Sequence, residues 1–188
     1  MLLKQILMPF GYLAIRHPHK WVVDWFYPAL ATLLTLLGLL YATDVSLLLA
    51  KGGMVSSLLS FVQSLPGFYI AALAAIATFG RADIDSVLPE PTPEVKVKFI
   101  GGENIVKLTR RRFLAMLFSF LTAESIVLII FSIFAIELSS SLSLFSACGV
   151  SVGWWISLLL LALFFFAFFQ LVAATFWGLY YLGFKLHE

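Results

Sequence analysis

Four long apolar runs alternate with polar breaks along this chain, and the middle break is by far the longest. A helix needs roughly 20 mostly apolar residues to cross about 30 Å of hydrocarbon. The runs from about Trp25 to Thr43, Val55 to Phe79, Phe113 to Ile136 and Trp154 to Phe184 meet that requirement. The pattern predicts an all-α integral membrane protein, a four-transmembrane-helix bundle. Trp21, Trp25 and Tyr27 at the first run, and Trp154-Trp155 and Tyr180-Tyr181 at the fourth, read as aromatic belts at the two interfaces. Ahead of the first run, Leu2, Leu3, Ile6, Leu7, Phe10, Leu13 and Ala14 recur at helical spacing, which predicts a short interfacial segment. That segment lacks an A-x-A-like cleavage site, and Pro9, Gly11, Arg16 and Pro18 interrupt it, so it is expected to be retained.

Residues 80–112 change period. Arg81-Ala82-Asp83-Ile84-Asp85 leaves the second span, and Pro89, Pro91 and Pro93 predict a stiff extended connector. Apolar Val95, Val97 and Phe99 then alternate with Lys96 and Lys98, a strand signature. Gly101-Gly102-Glu103-Asn104 reads as the turn and Ile105 to Thr109 as the return strand of a small β-hairpin between spans 2 and 3. An isolated hairpin is marginal in water. It is therefore expected to dock on lipid headgroups, a sister subunit or a cytoplasmic partner, and its open edge favours the partner.

Composition agrees with the pattern: 62% of residues are hydrophobic and 12% charged, with a mean hydropathy of +1.02. Soluble domains carry about 45–50% apolar and about 25% charged residues. The 188 residues make one membrane domain with a small appendage. The net charge of +2 says less than its placement. Lys4, Arg16 and Lys20 precede the first span, seven basic residues lie between Arg81 and Arg112, and Lys185 follows the fourth span; only Lys51 falls on the opposite side. By the positive-inside rule both termini and the 80–112 loop are expected in the cytoplasm of a bacterial inner membrane.

Several residues within the runs carry candidate chemistry. Glu124 sits mid-way along the third run, and a carboxylate there costs about 2.5–3.5 kcal/mol on insertion scales. Gln63 and Gln170 fall at comparable depths, so the three are candidates for one intramembrane polar layer. Such a layer serves as a proton- or ion-conducting site, as a switch whose protonation changes the packing, or as an interhelical hydrogen-bond cluster that sets register. Pro66-Gly67 predicts a kink, a hinge that either gates or only aids packing. Gly67, Ala71 and Ala75, with Ala74 and Thr78 alongside, form a small-residue face suited to close helix packing, within this chain or between copies. Phe164, Phe165, Phe166, Phe168 and Phe169 exceed what one small bundle is expected to absorb, which points to lipid or a homo-oligomer, such as a tetramer. Lys96, Lys98 and Lys107 with Arg110, Arg111 and Arg112 are candidates for partner or lipid docking, or for ordinary positive-inside anchoring.

Cys148 stands alone, which excludes an intrachain disulfide, and is expected to pack as a small hydrophobe. His17, His19 and His187 are too scattered for a metal site, and the serines between Ser139 and Ser151 have no His or Lys nearby to activate them. No phosphate-binding loop, H-E-x-x-H or G-x-S-x-G motif occurs, and there are no internal repeats. A non-enzyme without cofactor is expected, and no direct nucleic-acid binding.

One combined pattern does point to a family. It comprises Pro66-Gly67-Phe68-Tyr69-Ile70-Ala71-Ala72-Leu73-Ala74-Ala75, the acidic exit at Asp83 and Asp85, and Leu108-Thr109-Arg110-Arg111-Arg112-Phe113-Leu114. With the length and four-span layout, it resembles the small membrane subunit of Kiwa-type bacterial antiphage defence systems. The motif likeness covers some of the second and third spans, the architectural likeness most of the chain. The resemblance implies an oligomeric membrane sensor and scaffold that holds a cytoplasmic, nucleic-acid-binding partner. Gln63, Pro66 and Glu124 would be its responsive element and Lys96 to Arg112 its docking face. The rival expectation is an ion channel or pore-forming effector that depolarises the membrane, with Glu124 lining the path.

Overall fold

The first of the apolar runs enters its helix through a defect written in the sequence. Pro28 has no N–H, so the carbonyl of Asp24 four residues earlier loses its helical donor. In the computed structural model the chain opens there into one π-turn, Val22–Phe26, with the Tyr27 N–H bonded to the Val22 carbonyl, before continuing as α2, Tyr27–Ala42. The structure describes residues 2–78, 80, 82–99, 102–142 and 152–183. Side chains are described for these except at 82, 83, 97–99, 102, 103, 140 and 142.

Four helical stretches are long and apolar enough to cross a membrane: Val22–Ala42, Val45–Thr78, Arg110–Ser139 and Val152–Gly183, here spans 1 to 4. Ahead of them lie a short helix α1, Leu2–Ile6, and a 3-10 helix, Met8–Ala14. Span 2 is three helices, α3 (Val45–Leu49), α4 (Met54–Val62) and α5 (Leu65–Thr78). Where the sequence predicts a kink at Pro66-Gly67, the helix instead breaks just before Pro66, between α4 and α5. Since Pro66 cannot donate to Val62, the turn tightens, and the Ser64 N–H and hydroxyl both bond the Phe61 carbonyl, at 3.2 and 2.8 Å. Pro66 then sits in the first turn of α5, where a missing N–H leaves nothing unpaired.

The third and fourth runs become α6, Arg110–Leu142, and α7, Val152–Gly183, of 33 and 32 residues. At 1.5 Å per residue each measures about 50 Å, well beyond about 30 Å of hydrocarbon. These two pack on each other; span 1 lies on α7, and span 2 lies on α6 through α4 and α5, with α3 also reaching α7. The order across the molecule is therefore 1–4–3–2. Span 1 is peripheral, with 17% of its most apolar window buried against 50% for span 3. The core that spans 3 and 4 share includes Leu117, Phe120, Leu121 and Leu128 of α6 and Leu161, Phe164, Phe165 and Leu171 of α7. Gly178 lets α6 approach closely, since a Cβ there would stand 2.8 Å from Leu117 Cδ2.

That core corrects one expectation from the sequence. Phe164 and Phe165 are fully buried and Phe166, Phe168 and Phe169 are half-buried, so the chain absorbs its own aromatic cluster. α7 has α6, span 1 and the α3 segment of span 2 as neighbours, and the sequence pattern alone does not reveal that central position.

Between spans 2 and 3, β1 (Glu94–Phe99) and β2 (Gly102–Lys107) form an antiparallel hairpin, paired from Glu94↔Lys107 to Phe99↔Gly102. Gly102, Glu103 and Asn104, expected in the turn, lie on β2. Gly101, also expected in the turn, lies outside the described residues. The hairpin does not stand alone either. Arg16 and Glu94 exchange backbone hydrogen bonds of 2.8 and 3.0 Å, and Val87 bridges Thr109. Val95 and Leu108 are buried in the main core. A strap of chain ahead of span 1 thus serves as a third element at the hairpin's base. At the far end Lys51 pairs with Glu137 at 3.0 Å.

Candidate interfacial polar site

The strap, residues 8–20, is anchored by two side chains that helical spacing did not single out, Tyr12 and Ile15, both buried. Tyr12 stacks on Phe120 of α6 with ring centroids 4.9 Å apart. Its hydroxyl donates to Asp24 Oδ1 at 3.1 Å. Lys20, one helical turn before Asp24, donates to Asp24 Oδ2 and lies 4.1 Å from the Tyr12 ring centroid. Asp24 is 1% and Lys20 5% exposed, so both charges are withdrawn from water and depend on each other. The carbonyl of Asp24, orphaned by Pro28, accepts a 2.9 Å bond from Gln170 Nε2 of α7. Strap, span 1 and span 4 therefore meet on one aspartate.

Electrostatics follow from this burial. Desolvation lowers the Lys20 ammonium from the usual lysine value, and the hydrogen bond and charge of Asp24 partly restore it. Burial, then the charge and hydrogen bond of Asp24, raise the Tyr12 hydroxyl far above the ordinary tyrosine value, keeping it a donor. His17 is lowered by burial and by neighbouring His19, against a backbone bond at Pro91.

Glu124 of α6 is buried nearby, within electrostatic range of Asp24, Tyr12 and Tyr69. Its Oε2 has no hydrogen-bond partner among the described residues. Tyr69 itself shares a 2.7 Å hydrogen bond with Thr175 of α7. Of the expected polar layer, then, Glu124 and Gln170 come together around Asp24. Gln63 does not join them: it is exposed, at the break between α4 and α5. Depth along the helix is similar, but the helix turns this side chain outward.

The other sequence candidates separate in the same way. Pro66 is half-buried and Gly67 exposed, with open space where a Cβ would stand. Ala71 is exposed and Ala75 half-buried, while α5 packs inward through Tyr69 and Ile76. Arg111 is committed inside the chain: Nε and Nη2 donate to Asp85 at 2.7 and 3.1 Å, and Nη1 donates to the Ile76 carbonyl near the end of α5. Arg110 is half-buried with Nε unpartnered among the described residues, and Arg112 is exposed. Lys107 pairs with Glu90 at 3.5 Å, both exposed. Lys96 is exposed, and the side chain of Lys98 lies outside the described ones, as do Cys148 and His187.

The residues missed in the sequence are Tyr12, Lys20, Asp24 and Pro28. A signal was present: Lys20, Asp24 and Pro28 follow one another at spacing four, so an ion pair and a helix defect share one face at the head of span 1. Among the described residues no group of three or more His, Cys, Asp or Glu is placed to hold a metal ion. No family model, curated protein or solved structure matches this chain.

Proposed function

We propose that this chain is a non-enzymatic sensor and scaffold of the bacterial inner membrane, with its hairpin end in the cytoplasm as the docking surface for an effector subunit. The reading rests on the asymmetric basic residues for orientation and on one structural observation for mechanism. The strap bonds the hairpin through Arg16 and reaches the buried Asp24 of span 1 through Tyr12 and Lys20, while Gln170 holds the same residue from span 4. A change in bilayer packing that shifts span 1 against span 4 strains these bonds, and the hairpin is pulled with them. The resemblance to the Kiwa membrane subunit supplies the setting: antiphage defence, an oligomeric core, and a partner that binds nucleic acid so that this chain need not.

The docking surface is the exposed face of the hairpin at Lys96 and Ile105, where Ile105 is 58% exposed opposite Lys96. The test is purification of the tagged protein in mild detergent, with its mass measured and any soluble chain identified. A stoichiometric soluble partner is expected. Ile105→Asp with Lys96→Glu should release it without changing the membrane core, because Val95 and Leu108 stay in place. Co-purification unaffected by these substitutions, or a core with no soluble partner, contradicts the reading.

The channel is the second reading, and the unpartnered Glu124 oxygen is the observation that favours it. It requires ion flux from the purified protein in liposomes that Glu124→Gln abolishes.

A further inference from the structure

A cavity of about 960 Å³ opens between the strap, the start of span 1 and the base of the hairpin. The Arg16–Glu94 bridge fixes one wall. In an antiparallel pair that exchanges both backbone bonds, the two side chains leave on the same side, with Cα atoms about 5.5 Å apart. Arg16 and Glu94 nevertheless form no ion pair with each other or with another described residue; both face the cavity. Lys107 and Glu90 continue the same wall, and Lys20 and Asp24 form its floor. Arg16, Lys20 and Lys107 thus stand against Asp24, Glu90 and Glu94, three formal charges of each sign. A lining that balances in this way selects neither a purely anionic nor a purely cationic ligand. It suits a molecule carrying both charges a few ångströms apart.

The outer wall says where that molecule comes from. Trp21 and Trp25 line the cavity and are 64% and 47% exposed, at the end of a span and on its outer surface. Indole rings placed so lie at the level of lipid headgroups.

We propose that this cavity binds the headgroup of a zwitterionic phospholipid with a primary amine, its phosphate on Arg16 and its ammonium between Glu94 and Glu90. A guanidinium meets a phosphate through two parallel hydrogen bonds, and a primary ammonium offers N–H donors that carboxylates accept. A trimethylated amine has the same charge and no donor, so the site discriminates between the two. The inference goes beyond the scaffold reading and requires only that this end of span 1 lie at a bilayer surface.

The experiment is native mass spectrometry of the full-length protein equilibrated with equal amounts of phosphatidylethanolamine, phosphatidylcholine and phosphatidylglycerol of matched chains. Phosphatidylethanolamine should be retained about ten-fold over phosphatidylcholine, the effect of one charge-assisted hydrogen bond. Glu94→Gln should bring the two near parity, and Arg16→Gln should reduce retention of both. Glu90→Gln, at an exposed position, repeats the test if Glu94→Gln fails to fold. Equal retention of phosphatidylcholine, preference for phosphatidylglycerol, or no lipid above the bulk ratio would each overturn the proposal. Binding of soluble glycerophosphoethanolamine with no lipid retained would overturn the lipid as its source.

Discussion

Asp24 accepts Tyr12 and Lys20 of the strap at its carboxylate and Gln170 of α7 at its carbonyl. Removing one partner of a buried ion pair leaves the other charge uncompensated, at a cost of about 3–5 kcal/mol. Asp24→Asn should therefore lower thermal stability in detergent sharply, whereas Lys20→Met combined with Asp24→Asn should recover most of the loss. Equal loss in the single and double variants would show that the pair is not what Asp24 supplies. His17 gives a pH dependence of definite sign. Its folded value lies below the ordinary 6.5, so below that pH the undocked strap binds more protons than the docked one. Docking should weaken as pH falls through 6.5 towards the folded value and recover above it. Hydrogen exchange at residues 12–16, corrected for intrinsic rates, should rise between pH 7 and 5.5, and His17→Asn should flatten the change. Glu124 and Gln170 were legible as buried polar residues because each sits deep in an apolar run. Asp24 was not, because a charge at the edge of a run reads as interfacial whichever way it points. Gln63 shows the converse: sequence gives depth along a helix, and only packing gives the direction around it.

Among the elements, the start of span 1 and the hairpin show how local chemistry and tertiary contacts divide the work. The π-turn follows from Pro28, and its orphaned carbonyl is satisfied by Gln170. Gln170→Leu alone should cost about 1–3 kcal/mol, the penalty of a buried unsatisfied acceptor. In a Pro28→Ala background the helix can bond that carbonyl itself, and the same substitution should cost much less. Additive effects in this double-mutant cycle would show that Gln170 does not compensate for the proline. The four spans and the two strands were legible from period, and proline placement marked the neighbourhood of the break before Pro66, though as a kink. The hairpin register was not, since Gly102, Glu103 and Asn104 carry turn chemistry yet pair as strand. Nor was its docking on the strap, because backbone bonds between Arg16 and Glu94 leave no trace in either segment's pattern.

Across the whole molecule, the 1–4–3–2 order leaves spans 1 and 2 each with an open flank. The Gly67 and Ala71 surface of α5 lies on such a flank, where close approach of a second copy would meet no Cβ at Gly67. If the proposed oligomer uses it, Gly67→Leu should shift the mass in detergent towards the monomer; an unchanged mass would place the contact elsewhere. The aromatic cluster of α7 argues less for self-association, since the chain buries Phe164 and Phe165 fully and covers most of Phe166, Phe168 and Phe169. The central claim is mechanical: hairpin, strap and spans respond as one body through Asp24. Hydrogen exchange of residues 94–107 in nanodiscs, compared between the wild type and Tyr12→Phe, tests it most directly. That substitution keeps the ring against Phe120 and removes only the bond to Asp24. A hydrogen bond to a charged group contributes about 1.5–3 kcal/mol, so hairpin amides should exchange about ten-fold faster or more. A loosened strap beside an unchanged hairpin would contradict the account, for the hairpin end would then not feel the spans.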